Sequence, residues 1–459
     1  IILVAVIDAL FYLISGYLVI FWLNRIQAKM AAFNIPTDMA SLGLERAQQL
    51  VNEEKTFYFL IIASLILVLI AITLPLTWVQ FNGISLILLL IVWLYTGFRE
   101  RGRHFLPNWG ITILFSSFFL LCVISLLYSE NVSVALSKIE TRVALFLCPL
   151  IILNLPQISK DDFDFILKAF VNACLCVGIC CVCITFYTNF SRGIPFNDNT
   201  SWYFSSENLI DRFGFHPSYF SIYSAFSVFI CFYLYGKGKM SLGMVVFYTF
   251  FFSGLIFLLA SRIGIIAYGL IFVGTALNEF RKRKKILTGI GVTILFITIV
   301  IIAGSTNTSI RNKFTAMFNY NLNQYSRPFS ITKRFDEWTS AIELIKRNPF
   351  LGTGIGDMQG ELNRVYLQRG FIEGYENSYN AHNLFLDTAI TLGLVGLFPL
   401  LIIFISSFGL AVKSRGILYF QFLMLFVFLS IPEATFSVQK GVVFFSFFIL
   451  YFCICFFNT

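Results

Sequence analysis

Apolar runs of near-membrane length fill most of this chain, separated by short polar turns and by one long polar stretch at about residues 304–381. Roughly 20 apolar residues carry a helix across a bilayer. The runs predict spans at about 1–24, 57–78, 82–98, 109–128, 141–155, 165–189, 217–235, 241–260, 263–279, 286–303, 383–412, 417–435 and 440–457. They are Phe-rich and lack the two-residue alternation of a membrane β-strand. The predicted fold is all-α, a polytopic membrane helical bundle.

Polar positions divide the chain into four parts: an added span and cytoplasmic linker helix (1–56), transmembrane helices (57–303), a large loop (304–381) and C-terminal transmembrane helices (382–459). The short basic loops are Arg99-x-Arg101-x-Arg103, Lys237-x-Lys239, Arg281 to Lys285 and Lys413-x-Arg415. Counted through the spans, all fall on one side, which is the cytoplasm by the positive-inside rule. Residues 190–216, the Ser261-Arg262 turn, the 304–381 loop and His382 then share the opposite side.

Within the loop, Phe335, Trp338, Ile342 and Ile345 recur at helical spacing, and Asn348-Pro349 ends that helix. Gly352-x-Gly354-x-Gly356 reads as a tight structural turn, and a second short helix is predicted over Met358 to Gln368.

Composition agrees with a membrane protein. Mean hydropathy is +0.81 and only 12% of residues are charged, about half the share in soluble chains. The net charge of +9 sits in the cytoplasmic loops, and no basic-aromatic motif for nucleic acid accompanies it. All ten Cys lie in apolar runs, where thiols act as small hydrophobes. Neither a disulfide framework nor a metal-ligand set is visible, and with two candidate His and no convergent acids zinc is not expected. Asp161, Asp162 and Asp164 read as a solvated acidic face. The chain opens on Ile1, so its natural start is expected upstream, and no cleavable leader pattern is recognisable.

Chemistry concentrates at span ends. Arg262 stands between two apolar runs, where an unpaired cation is costly and is functional by default. His382-Asn383 sits where the polar loop gives way to a span, with Gly393-x-x-Gly396 farther down the same run. Gly393, roughly 16 Å from His382 along a helix, is expected to allow close helix packing. Arg334 opens the loop helix, and His216 precedes Pro217 at a span start. Tyr366, Tyr375 and Tyr379 are aromatic positions available for sugar stacking or for packing.

Together these motifs resemble the O-antigen ligase/polymerase superfamily of bacterial lipopolysaccharide assembly over about residues 57–457. The resemblance rests on His382-Asn383-x9-Gly393-x-x-Gly396 after a large loop, on Ser261-Arg262 at a span end, and on Arg334-x-x-x-Trp338 followed by Pro349-x-x-Gly352-x-Gly354-x-Gly356. It implies an inner-membrane bundle of about twelve family spans, with 1–24 as an extra one, and a large periplasmic loop. It also implies a glycosyltransferase that moves a glycan from undecaprenyl pyrophosphate to lipid A-core, with no cofactor. By motif position His382, Arg262 and Arg334 are the expected catalytic residues. Arg212, His216, Asn383 and Tyr379 are expected substrate-binding residues, and no metal ligand is expected.

The implied partners are the lipid-linked glycan donor, a lipid A-core or glycan acceptor and membrane lipids, with no nucleic acid. An O-antigen or exopolysaccharide polymerase shares nearly all these motifs, and a protein O-oligosaccharyltransferase shares many. A transporter or flippase predicts paired intramembrane charges and inverted repeats, and the sequence suggests neither.

Overall fold

The computed structural model describes residues 44–74, 81–99, 109–155, 158–195, 200–210, 216–282 and 331–457. Regular structure among these residues is entirely helical. The first expected span, the span at 286–303, residues 304–330, the basic residues 101–103 and Arg212 lie outside them.

Among the described residues six helices are long and apolar enough to cross a membrane. They lie in α1 (Leu44–Thr73), α3 (Trp109–Ile124), α6 (Lys160–Ser191), α8 (Pro217–Gly236), α9 (Leu242–Leu259) and α14 (Leu384–Lys413). Apolar stretches of α2 (Phe81–Arg99), α10 (Arg262–Lys282), α15 (Ile417–Ser430) and α16 (Gln439–Phe457) are shorter. These ten helices coincide in position with runs read as spans from the sequence. The span expected at 141–155 does not: it is a 9-residue helix, α5 (Ala144–Ile152), preceded by α4 (Val132–Arg142). Nine residues reach only about 14 Å. The linker expected to end at residue 56 runs unbroken into the next span as α1.

The helix starts follow from their side chains. Ser159 accepts from the Asp162 amide ahead of α6, Ser241 accepts from Met244 ahead of α9, and Pro217 sits in the first turn of α8. Such caps satisfy amides that have no partner inside the helix. Helix α8 is buried along nearly its whole length, because α6, α9, α10 and α15 pack around it. Phe226 on α8 meets Phe422 of α15 and Phe448 of α16. Phe247, Phe250, Phe398 and Ile405 point outward, an apolar surface suited to lipid.

Helix α8 spans about 30 Å and separates two polar ends. At its C-terminal end Lys237 and Lys239 both pair with Asp164. Asp164 is 2% exposed, so the solvated acidic face expected here is corrected for this residue. A carboxylate this buried persists because two ammonium groups meet it.

Outside the spans, α11 (Ile331–Arg347), α12 (Met358–Gln368) and α13 (Ile372–Glu376) enclose a small core of Ala341, Leu344, Met358, Leu362, Val365, Tyr366 and Ala381. The buried face of α11 is rotated from the expected one. Phe335 and Ile342 are exposed, whereas Glu337, Ser340, Ala341 and Leu344 are buried. Apolar spacing misleads here because this helix packs small and polar residues inward.

The two glycine motifs form one device. Gly393 has φ 61 and ψ −157 and interrupts α14. The freed amides of Leu394 and Val395 donate to the carbonyls of Pro349 and Phe350 at 2.8 and 3.1 Å. The freed carbonyls of Ile390 and Thr391 accept from Thr353 and Gly354 at 2.8 and 3.0 Å. The 349–354 turn thus splints a broken membrane helix and satisfies the groups that the break exposes, as lipid requires. A Cβ on Gly393 would overlap the Phe350 carbonyl. Close approach is therefore the role of Gly393, toward a loop and not toward another helix.

Candidate functional site

At the N-terminal end of α8 three chain segments converge on Glu433, in the loop between α15 and α16. Its Oε1 accepts from Ser218 Oγ at 3.2 Å and lies 3.7 Å from His216 Nδ1 and 4.0 Å from Arg334 Nη2. Its Oε2 lies 3.7 Å from His382 Nδ1. The carboxylate is nearly buried, the His382 side chain is 25% exposed and that of Arg334 is 30% exposed. One acid therefore faces two imidazoles and a guanidinium, all three of them partly exposed. Glu433 carries no signal in the sequence, where Ile-Pro-Glu-Ala reads as an ordinary turn, and it corrects the expectation that no acid converges on the histidines. Among the described residues no group of His, Cys and acids is arranged to hold a metal ion.

His382 is held in a left-handed conformation, φ 41, with its amide bonded to Asn380 Oδ1 at 2.8 Å. This conformation is uncommon outside glycine and recurs at functional sites. The next residue, Asn383, caps α14, its Oδ1 accepting from the Phe385 and Leu386 amides at 2.9 and 3.0 Å. Of the Asn383 side chain only Nδ2 is left to offer a ligand. The Tyr379 ring stands edge-on to the His382 ring at 6.1 Å, with its hydroxyl donating to Glu373 Oε1 at 3.3 Å. Burial pushes the Tyr379 hydroxyl above its ordinary range. Tyr366 is fully buried and stacks edge-on with Phe371, so packing is its role. Tyr375 is exposed.

His216 caps α8, its Nδ1 accepting from the Ser218 amide at 3.4 Å, and half of its side chain is exposed. Ser261 Oγ donates to Ser218 Oγ at 3.4 Å and accepts from the Gly264 amide at 3.3 Å. The preceding Ala260 turns left-handed, φ 48, and places Arg262 as the first residue of α10. Arg334 lies close enough to Arg262 for the two like charges to interact, although the sequence sets them 72 positions apart.

Arg334 is flanked on its other side by Glu337, at 3.0 Å. Burial lifts the Glu337 carboxyl to about 7, against the pull of Arg334 and with a further push from Glu433. Near neutral pH, Glu337 is therefore part-protonated and neutralises Arg334 only in part. The structure brings His382, Arg334, His216 and Tyr379 together with Glu433, Ser218 and Glu337, and places Arg262 beside Ser261 at the edge of this group.

A second buried ion pair joins Arg142 of α4 to Asp387 of α14, Nη2 to Oδ2 at 3.7 Å. The expectation that the chain holds no paired charges among its spans is corrected by this pair.

Residues 247–401 match the family model described as O-antigen ligase. The matched segment carries Arg262, Arg334, Glu337, Tyr379, His382 and Gly393, while His216, Ser218 and Glu433 lie outside it. A comparison with curated proteins gave no match.

Proposed function

With an O-antigen ligase domain over residues 247–401 as the premise, we propose that this multi-pass membrane protein transfers a glycan from undecaprenyl pyrophosphate to a lipid A-core sugar at the periplasmic face. The observation that carries this reading is the meeting of His382, Glu433, Arg334 and Arg262 at one end of the bundle, opposite the Lys237–Asp164 end.

The chemistry follows from the groups. An acceptor hydroxyl is a poor nucleophile, and an imidazole removes its proton near neutral pH. Glu433 Oε2 lies 3.7 Å from Nδ1 of His382, so its charge stabilises the imidazolium, and Nε2 acts as the base. The acceptor oxygen bonds to the anomeric carbon while the bond from that carbon to the phosphate oxygen breaks. The proton goes to His382, and the electron pair leaves with undecaprenyl pyrophosphate. Direct displacement inverts the anomeric centre. Arg262 and Arg334 suit the leaving pyrophosphate, because guanidinium is permanently charged and offers a fork of donors to phosphate oxygens. Proton uptake by Glu337 frees Arg334 for that role. The edge-on Tyr379 beside His382 suits an acceptor sugar. The donor is already activated, so neither nucleotide nor metal is required by this scheme.

Deletion of the gene in a lipopolysaccharide-producing host tests the reading. A ligase deletion leaves lipid A-core bare and long glycan on undecaprenyl pyrophosphate. Core capped by a single repeat unit would replace the ligase with a polymerase and keep the same site.

A further inference from the structure

The Arg142–Asp387 pair plays no part in the chemistry above, yet its place in the fold ties the two halves of the site together. Asp387 lies in the first turns of α14, its amide bonded to the Asn383 carbonyl at 2.8 Å, so it belongs to the helix start that presents His382. Its Oδ2 also accepts from Ser437 Oγ at 3.4 Å. Ser437 closes the loop that carries Glu433, through Ser437 to Ala434 and Thr435 to Glu433 backbone bonds at 2.9 and 3.0 Å. The Thr435 hydroxyl anchors that loop to Ser430 at the end of α15, at 3.2 Å. One carboxylate thus touches both the segment holding the base and the segment holding its acidic partner.

Arg142 fixes that carboxylate from a third direction. Its Nη2 meets Asp387 Oδ2, and its Nη1 donates to the Lys138 carbonyl one turn earlier at 3.1 Å. Both side chains are almost fully inaccessible, 2% and 3% exposed. Arg142 Nε and Asp387 Oδ1 find no hydrogen-bond partner. As a device for stability this pair is poor, since two desolvated charges at 3.7 Å with unfilled valences recover little of their hydration. Apolar residues of the same volume would serve the fold as well. Retaining ions in a membrane bundle points instead to function.

We propose that Arg142 and Asp387 are positioning residues that hold the His382 helix start and the Glu433 loop at a fixed separation. The inference rests on His382 acting as the base. When the pair is removed, His382 and Glu433 stay in place chemically but lose their common anchor. Arg262 and Arg334 stand on α10 and α11 and keep their own backbone anchors.

The test compares Arg142→Met, Arg142→Lys and the double variant Arg142→Met with Asp387→Leu in the full chain, solubilised from membranes. Transfer is measured with undecaprenyl-pyrophosphate-linked glycan as donor and lipid A-core as acceptor. The double variant removes both buried charges and so leaves neither one unpaired, and it is expected to fold like the wild type. Its kcat is expected to fall about 10-fold to 100-fold, the scale of a misplacement of about 1 Å, with donor KM unchanged. Arg142→Lys keeps a cation against Asp387 and is expected to recover most of kcat. Wild-type kcat in the double variant overturns the proposal, as does failure of that variant to fold, which would make the pair a requirement of the fold. A raised donor KM with kcat intact also overturns it, by making the pair a substrate contact. Absence of transfer by the wild-type protein itself would instead strike at the proposed function and leave the packing argument untouched.

Discussion

Replacing Gly393 by Ala attacks the splinted break in α14, and its cost follows from three observations. The backbone there, φ 61 and ψ −157, lies in a region that is essentially glycine's alone, and strain of this kind costs about 1–3 kcal/mol. The added Cβ meets the backbone carbonyl of Phe350, which has no rotamer by which to withdraw. The 349–351 turn must therefore retreat, releasing the Leu394 and Val395 amides from Pro349 and Phe350. Two lost hydrogen bonds add about 2 kcal/mol, for a total of about 3–5 kcal/mol. That is a large share of the 5–15 kcal/mol that typically separates folded from unfolded states. The assay is thermal unfolding of the detergent-solubilised protein beside Gly409→Ala, a glycine of the same helix whose Cβ would meet nothing within 4 Å. Gly393→Ala is expected to lose several degrees of Tm, and Gly409→Ala none. Equal Tm values for the two variants would refute the reasoning, because the break would then not depend on glycine.

His382→Ala is expected to cut transfer by about 10²–10⁴-fold, the usual loss on removing a general base, while membrane insertion is unchanged; a purified-enzyme rate assay decides. Arg262→Lys and Arg334→Lys are each expected to remain well below wild-type transfer, because ammonium lacks the bidentate fork, and full activity in both would reduce the clamp to simple charge. Glu337 titrates at about 7 when folded against 4.5 unfolded. The folded state therefore holds the extra proton between those values, and its contribution to stability is present below about 4.5 and lost as pH rises toward 7. Glu337→Gln is expected to flatten that decline in a Tm-versus-pH series, and a slope equal to that of the wild type would assign the proton elsewhere. Transfer is expected to proceed in EDTA without ATP, and loss on chelation that one divalent ion restores would contradict the site chemistry.

Hydropathy alone determined that this chain is a helical membrane protein, because any segment left in lipid must satisfy its backbone internally and be apolar over a bilayer's thickness. The motifs also placed His382 and Arg262 at span ends, where an ion is costly enough to imply a use, and Arg334 at the start of the loop helix. Pairing across the chain was not legible. Glu433 lies 51 residues beyond His382, and only the packing of α15 against α14 and α8 brings its carboxylate between His382, His216 and Arg334. Likewise the Gly352-to-Gly356 turn and Gly393 read as two separate structural motifs, and only their backbone hydrogen bonds show one splint. The inward face of α11 escaped its apolar spacing for the same reason. Glu337 and Ser340 are buried by what packs on them, and a sequence records each residue's own preference but not the neighbours that override it.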